Sequence, residues 1–287
     1  MQQQYHLDIN QARKGYMPQY QGCFNAGLVK PQDSIQGGHF AAYSPAYISS
    51  NEQVSQIVHW LKPKNKTVLA VAGSGDIPLF LSAYGAGHID TFDISYNARV
   101  VMNMKTYMLT HKYNLFDYTT TLRSLKCSSD FLHCRATETL RNSASSKTWD
   151  YIQGMHGCKI FLHSENGDIE TMPTQFEFEN MQQKTPKRYN FIWSDLFSLG
   201  GQISGQKYDI IYLSNVLQYV DDTQHIVNVL QDLHSHLNPN GVIVLDSLLL
   251  NTTISRMNKY DQVAKQIKDW AYKIYVNSAK AIFLQTK

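Results

Sequence analysis

The sequence predicts an α/β fold in which a mostly parallel sheet carries helices on both faces. Thr67-Val-Leu-Ala-Val-Ala72 is a short, almost wholly apolar run, the pattern of a strand buried on both sides. It passes through a glycine turn, Gly73-Ser74-Gly75-Asp76, into a helical stretch and then a second strand. The same alternation resumes after residue 190, and crossovers between parallel strands of one sheet are right-handed almost without exception.

The elements follow in order. Residues 1–50 are rich in Gln, Gly, Tyr and Ser without sustained periodicity, and are read as an N-terminal extension or lid. Ser49-Ser50-Asn51-Glu52 reads as a helix start, a small polar cap with an acid in the first turn. Val54, Ile57, Val58 and Leu61 fall at helical spacing, and Pro63 stops the helix. After the strand at 67–72, Ile77 to Tyr84 is a helix ended by Gly85-Ala86-Gly87, His88 to Phe92 a strand closing on Asp93, and Ala98 to His111 a further helix. Residues 112–190 lack clean alternation and are read as an insertion, helical at Thr121–Leu125 and Asp130–Asn142. Phe191 to Ser194 is a strand ending at Asp195, Tyr208 to Leu213 another, and Thr223 to Leu237 an amphipathic helix. Asn238-Pro-Asn-Gly241 is a turn before the strand Val242–Leu245; a last helix spans Asp261 to Tyr272, and Ala281 to Leu284 forms a terminal strand. The main domain is therefore expected over 51–287, with the insertion at 112–190 and the extension at 1–50.

Composition narrows the class. Of 287 residues 43% are hydrophobic, enough for a packed core, which excludes wholesale disorder. The net charge of +3 is too mild to argue for nucleic acid or an anionic membrane, and no basic patch with interleaved aromatics marks the former. The longest apolar run, Val242 to Leu250, is interrupted by Asp246 and Ser247 and falls short of the roughly 20 residues needed to span a bilayer. The N-terminus shows no secretory pattern, and four cysteines without C-x-x-C spacing suggest reduced thiols, so a cytoplasmic protein is expected. Cys127, His133, Cys134, His156 and Cys158 fit no standard zinc spacing, and no metal is expected.

A glycine turn between a buried strand and a helix presents backbone N–H groups to an anionic ligand and lets it approach closely. Asp93, at the end of the second strand, is placed to accept hydrogen bonds from ribose hydroxyls. Together they predict a nucleoside site. The dinucleotide fingerprint is broken by Pro78, and no Walker lysine follows the turn.

Four segments in order, Val68–Gly75, Asp93, Tyr208-Asp-Ile-Ile-Tyr-Leu-Ser-Asn-Val-Leu-Gln-Tyr219 and Leu237-Asn-Pro-Asn-Gly-Val-Ile-Val244, resemble the class I S-adenosylmethionine-dependent transferases. The resemblance implies a Rossmann-like, seven-stranded sheet with S-adenosyl-L-methionine as cofactor. By resemblance Ala72, Gly73, Ser74 and Gly75 face the methionine end, Asp93 the ribose, and Asp195 with Leu196 the adenine, and Asp76, Ile94 and Ser95 are further cofactor-binding candidates. Ser214 and Asn215 sit at the crevice edge. The chain departs from the usual motif, with Ala70 where an acid is common. Gly75-Asp76 and the spacing from Asp93 to Lys105 resemble instead the betaine-lipid-synthase-type 3-amino-3-carboxypropyl transferases. Methyl transfer is expected, with aminocarboxypropyl transfer or a non-catalytic nucleoside-binding module as alternatives. Acceptor or lid candidates are Tyr43 and Tyr47 in the aromatic stretch 37–47, together with Lys105 and Tyr219. A small-molecule acceptor is expected, with specificity residing in 1–50 and 112–190.

Overall fold

A computed structural model of the chain describes residues 49–50, 52–126, 172–220, 222–246, 262–263, 265–267, 271–276 and 281–286. Helix α1 (Val54–Leu61) buries Val54, Ile57, Val58 and Leu61, the stripe its spacing predicts, and ends on Lys62 in the left-handed conformation. It begins later than expected: Gln53 is its N-cap, so Glu52 is not a first-turn acid. Strand β1 (Thr67–Val71), helix α2 (Asp76–Ala83), strand β2 (His88–Asp93) and helix α3 (Tyr96–Thr110) form the expected βαβ unit and its following helix. Every residue of α2 is buried, which explains why its pattern is apolar all round.

Helix α4 (Leu115–Lys126) encloses the expected 121–125 segment, whereas 130–142 lies outside the described residues, as do Cys127, His133, Cys134, His156 and Cys158. Helix α5 (Gln175–Lys184) was not expected. Its signal was a capping box: Thr174 accepts from the Glu177 N–H while the Glu177 side chain accepts from the Thr174 N–H. Glu177 also accepts from the Tyr84 hydroxyl at 3.0 Å and from the Ser55 hydroxyl, joining α5 to α1 and to the end of α2.

Strand β3 (Asn190–Trp193), the short helix α6 (Leu199–Gln202), strand β4 (Tyr208–Ser214), a 3₁₀ turn (Val216–Tyr219) and helix α7 (Thr223–Ser235) precede strands β5 (Leu237–Asp246), β6 (Ala271–Val276) and β7 (Ala281–Thr286). The seven strands lie in the order β3-β2-β1-β4-β5-β7-β6. All neighbours are parallel except β7, which runs antiparallel to both β5 and β6.

Two expectations need correction. Residues 238–241 do not form a turn ahead of β5 but lie within it. Tyr208 pairs with Leu237 and Ile210 with Val242, so the one intervening residue of β4 faces four of β5 and the Asn-Pro-Asn-Gly stretch bulges from the ladder. Asn240 takes φ +62°, and a side chain on Gly241 would meet the Asn238 carbonyl oxygen at 2.8 Å. The last helix stops short of Tyr272, because strand β6 begins at Ala271 and pairs with β7.

The chain winds outward from β1 through β2 to β3, then returns to β4 on the opposite side of β1. That reversal opens a crevice beyond the carboxyl ends of β1 and β4, where ligands bind in open α/β sheets.

Candidate functional site

The glycine turn hangs from β1 at this reversal. The Ala72 N–H donates to the Phe92 carbonyl at 2.8 Å, so β1 and β2 stay paired up to the turn. The Gly73 N–H then donates to Asp93 Oδ2, and the Ser95 N–H to Asp93 Oδ1, each at 2.8 Å. Asp93 thus clamps the glycine turn to the start of α3. A carboxylate has about four acceptor positions, so Asp93 retains capacity for hydroxyl donors. Burial pushes its carboxyl up from 3.8 to about 6, against the lowering by the Ser95, Gly73 and Ile94 N–H groups. The Trp193 indole donates to the Ile94 carbonyl at 2.8 Å, fixing the segment Asp93-Ile94-Ser95 against β3.

The two glycines of the turn play different parts. Gly73 has φ +50°, and a Cβ there would meet nothing within 4 Å. Gly75 has φ +84°, and its Cβ would come within 2.8 Å of the Met102 Cα. The resemblance places Gly75, like Gly73, against the methionine end of the ligand. In the fold Gly75 is required by the close passage of α3, and Gly73 is the residue facing open space.

Asp76 is the first residue of α2 and is buried. Its Oδ2 accepts from the Ser50 N–H and the Ser74 hydroxyl, both at 2.8 Å, and its Oδ1 pairs with Lys105 Nζ at 2.5 Å. Lys105 is 0% exposed, so it lies inside the wall and not on an acceptor-facing surface. The interval between Asp93 and Lys105 does not pair those two; Lys105 belongs to Asp76. Met104, Thr106, Tyr107, Met108 and Leu109 are buried around Lys105, so α3 is enclosed at this level of the fold.

Beyond β3, Asp195 Oδ1 accepts from the Ser198 N–H at 2.7 Å, shaping the turn after the strand, and Leu196 is buried. The Ser194 N–H donates to the Asp93 carbonyl at 3.1 Å, which keeps Asp195 and Leu196 beside the end of β2. On the other side Ser214 ends β4 and Asn215 leads into the 3₁₀ turn, with Ser214 at φ +58°, a strained value for a residue with a side chain. Tyr219 lies in the 3₁₀ turn, while Tyr43, Tyr47 and the stretch 37–47 lie outside the described residues.

Sequence reasoning missed Glu52. It is 4% exposed, and its carboxylate accepts from the Tyr212 hydroxyl at 2.8 Å and from the Ser214 hydroxyl. Its N–H donates to Ser50 Oγ at 3.2 Å. Ser50 is therefore tied to Asp76, and Glu52 to β4. These residues form a glycine turn with an open backbone, a strand-end acid for hydroxyl groups, and a buried acid bonded to the end of β4.

A family model described as a methyltransferase domain matches residues 51–281. No curated protein matches the chain by sequence. Solved structures with a similar arrangement include the N-methyltransferase NodS from Bradyrhizobium japonicum WM9 in complex with S-adenosyl-L-homocysteine, at 9% identity and TM-score 0.40, covering 83% of this chain and 89% of that one. Another is the magnesium protoporphyrin IX methyltransferase ChlM from Synechocystis PCC 6803 with bound SAM, at 13% identity and TM-score 0.40, covering 82% and 78%. A candidate SAM-dependent methyltransferase from Streptococcus mutans matches at 12% identity and TM-score 0.41 over 80% of this chain, which spans 48% of that protein. Among the described residues no helix is long and apolar enough to cross a membrane.

Proposed function

Because the chain belongs to the methyltransferase-domain family, we propose that Gly73, Asp93 and the ends of β3 and β4 hold S-adenosylmethionine, from which it transfers the methyl group to an acceptor. The observation that carries the placement is Gly73, whose left-handed backbone faces open space beside the Asp93 carboxylate. That combination accommodates a ligand lying against the backbone with its ribose hydroxyls on the acid. Ser95 and Ile94 flank the ribose, Asp195 and Leu196 the adenine, and Ser74, Ser214 and Asn215 the methionine end. Bound in this way, the cofactor supplies an electrophilic methyl group. What the protein adds is alignment and exclusion of water. A small molecule is the proposed acceptor, and the cytoplasm the proposed compartment.

Aminocarboxypropyl transfer is the weaker reading. The two details that favoured it, Gly75-Asp76 and Lys105, are used within the fold itself: Gly75 against Met102, and Asp76 with Lys105. Incubation with S-adenosylmethionine and a panel of small-molecule acceptors, followed by mass analysis of the nucleoside product, is expected to give S-adenosylhomocysteine. Methylthioadenosine as the product would overturn the methyl-transfer reading. Calorimetry showing no binding of either S-adenosyl compound at millimolar concentration would overturn the site.

Asp93→Ala is expected to lower cofactor affinity on the order of a hundredfold in a folded protein, since two hydroxyl-to-carboxylate bonds are lost. Unchanged affinity would remove Asp93 from the ribose role. The acid also predicts a pH dependence. With its folded value near 6 and above its ordinary 3.8, its contribution to stability declines as pH rises from about 4 to about 6 and is level above. Ribose binding has the opposite sign, because the hydroxyls donate to the ionised form. Affinity for S-adenosylhomocysteine is expected to fall about tenfold between pH 7.5 and pH 5, and Asp93→Asn to flatten that profile. A wild-type profile already flat over this range would contradict it.

A further inference from the structure

We propose that Glu52 faces the transferred methyl group and selects an acceptor whose attacking atom carries a proton, an amine or a hydroxyl, by accepting that proton. The proposal rests on the methyltransferase reading above and deepens it.

The placement follows from the β1–β4 register. Ala70 pairs with Tyr212, so the end of β4 at Ser214 comes up beside Ala72, where the glycine turn begins. Between Tyr212 and Ser214 the β4–β5 ladder slips: two residues advance on β4 while Val244 and Leu245 are consecutive on β5. Such bulges re-aim side chains next to active sites. Here the irregularity coincides with the left-handed backbone at Ser214, and both Tyr212 and Ser214 donate their hydroxyls to one carboxylate, Glu52. The other end of the segment is tied down independently, through the Ser50 N–H on Asp76 at the foot of the same glycine turn. These bonds hold one buried acid beside both the end of β4 and, through Ser50, the foot of the glycine turn. Helix propensity explains none of them, since Glu52 stands outside α1. At 4% exposure the carboxylate is shielded from water, which strengthens its interaction with any developing positive charge.

The chemistry balances. The acceptor's lone pair forms the new bond to the methyl carbon while the carbon–sulfur bond breaks and its electron pair stays on sulfur. The acceptor atom would then carry a positive charge. Its proton passes to a Glu52 oxygen, leaving a neutral methylated product and a carboxylic acid that returns the proton to solvent before the next turnover. The Tyr212 and Ser214 hydroxyl protons rotate, so they can follow the change in charge.

The probe is sinefungin, a cofactor analogue that carries an amine-bearing carbon in place of the methylsulfonium and so puts an ammonium where the methyl lies. Calorimetry compares its affinity with that of S-adenosylhomocysteine in wild type, Glu52→Gln and Ser214→Ala. Wild type is expected to prefer sinefungin. Glu52→Gln should lower that preference about tenfold or more, while holding S-adenosylhomocysteine within about twofold. Ser214→Ala should lower it in the same direction by less. If wild type binds both ligands and neither variant changes the preference, Glu52 does not face the methyl position, and the methyltransferase reading stands without it. If Glu52→Gln does not fold, an unchanged preference in Ser214→Ala overturns the proposal. Failure of wild type to bind either ligand overturns the cofactor reading, and this proposal with it.

Discussion

Lys105→Met is expected to destabilise the protein by about 3–5 kcal/mol, because it strands the Asp76 carboxylate in the interior. Asp76 is 4% exposed, and its remaining partners, the Ser50 N–H and the Ser74 hydroxyl, are neutral. Burial lowers the Lys105 ammonium from its ordinary value, opposed by the charge of Asp76 and its hydrogen bond. The ion pair is thus costly to bury and more costly to break. The loss should appear as a fall in melting temperature on the order of 10 °C. Asp76→Asn combined with Lys105→Met removes both charges, and is expected to recover much of the loss, since a neutral side chain can still meet Ser50 and Ser74. A single Lys105→Met variant within about 1 kcal/mol of wild type would show that the pair does not hold the turn to α3.

Gly73 and Gly75 are expected to separate binding from folding. Gly73→Ala places a methyl group in open space at φ +50°, so its stability cost is that of a left-handed residue, about 1–2 kcal/mol. Its affinity for S-adenosylhomocysteine should fall at least tenfold, because the methyl group occupies the surface against which the ligand lies. Gly75→Val brings the same kind of backbone strain, and in addition drives its Cβ to within 2.8 Å of the Met102 Cα. Relief requires α3 to move. Overpacking of this sort costs about 1–3 kcal/mol beyond the strain, and the fraction that remains folded should keep much of its affinity. Chemical denaturation and calorimetry on the same two variants give both quantities. Gly73→Ala with wild-type affinity would remove the turn from the ligand site.

The segment from β1 to α3 was legible because its signals are local. An apolar run, positive-φ glycines and a strand-end acid lie within about 30 residues of one another, as a βαβ unit requires. Strand β6 was overrun because Ala271-Tyr-Lys-Ile-Tyr-Val276 follows a helical segment without a breaker, and its extended form depends on pairing with β7. Helix α5 was missed for the opposite reason. Its apolar face is narrow, with Phe178 and Met181 buried, so its cap and not its periodicity gave it away.

By itself, then, the sequence determined the α/β class, the glycine turn and Asp93, since strand burial, turn chemistry and the place of an acid at a strand end are written in neighbouring residues. Only the tertiary structure decided which polar side chains would be buried. Lys105 and Asp76 are 29 positions apart, and Glu52 meets Ser214 across 162. A charged residue reads as surface until its partner is known, and burial of a charge is tolerated only where distant elements bring that partner within hydrogen-bonding reach. The packing of α3 against the start of α2 does this for Lys105, and the end of β4 does it for Glu52. An acid that reads as part of a helix's first turn is thereby held against the end of β4.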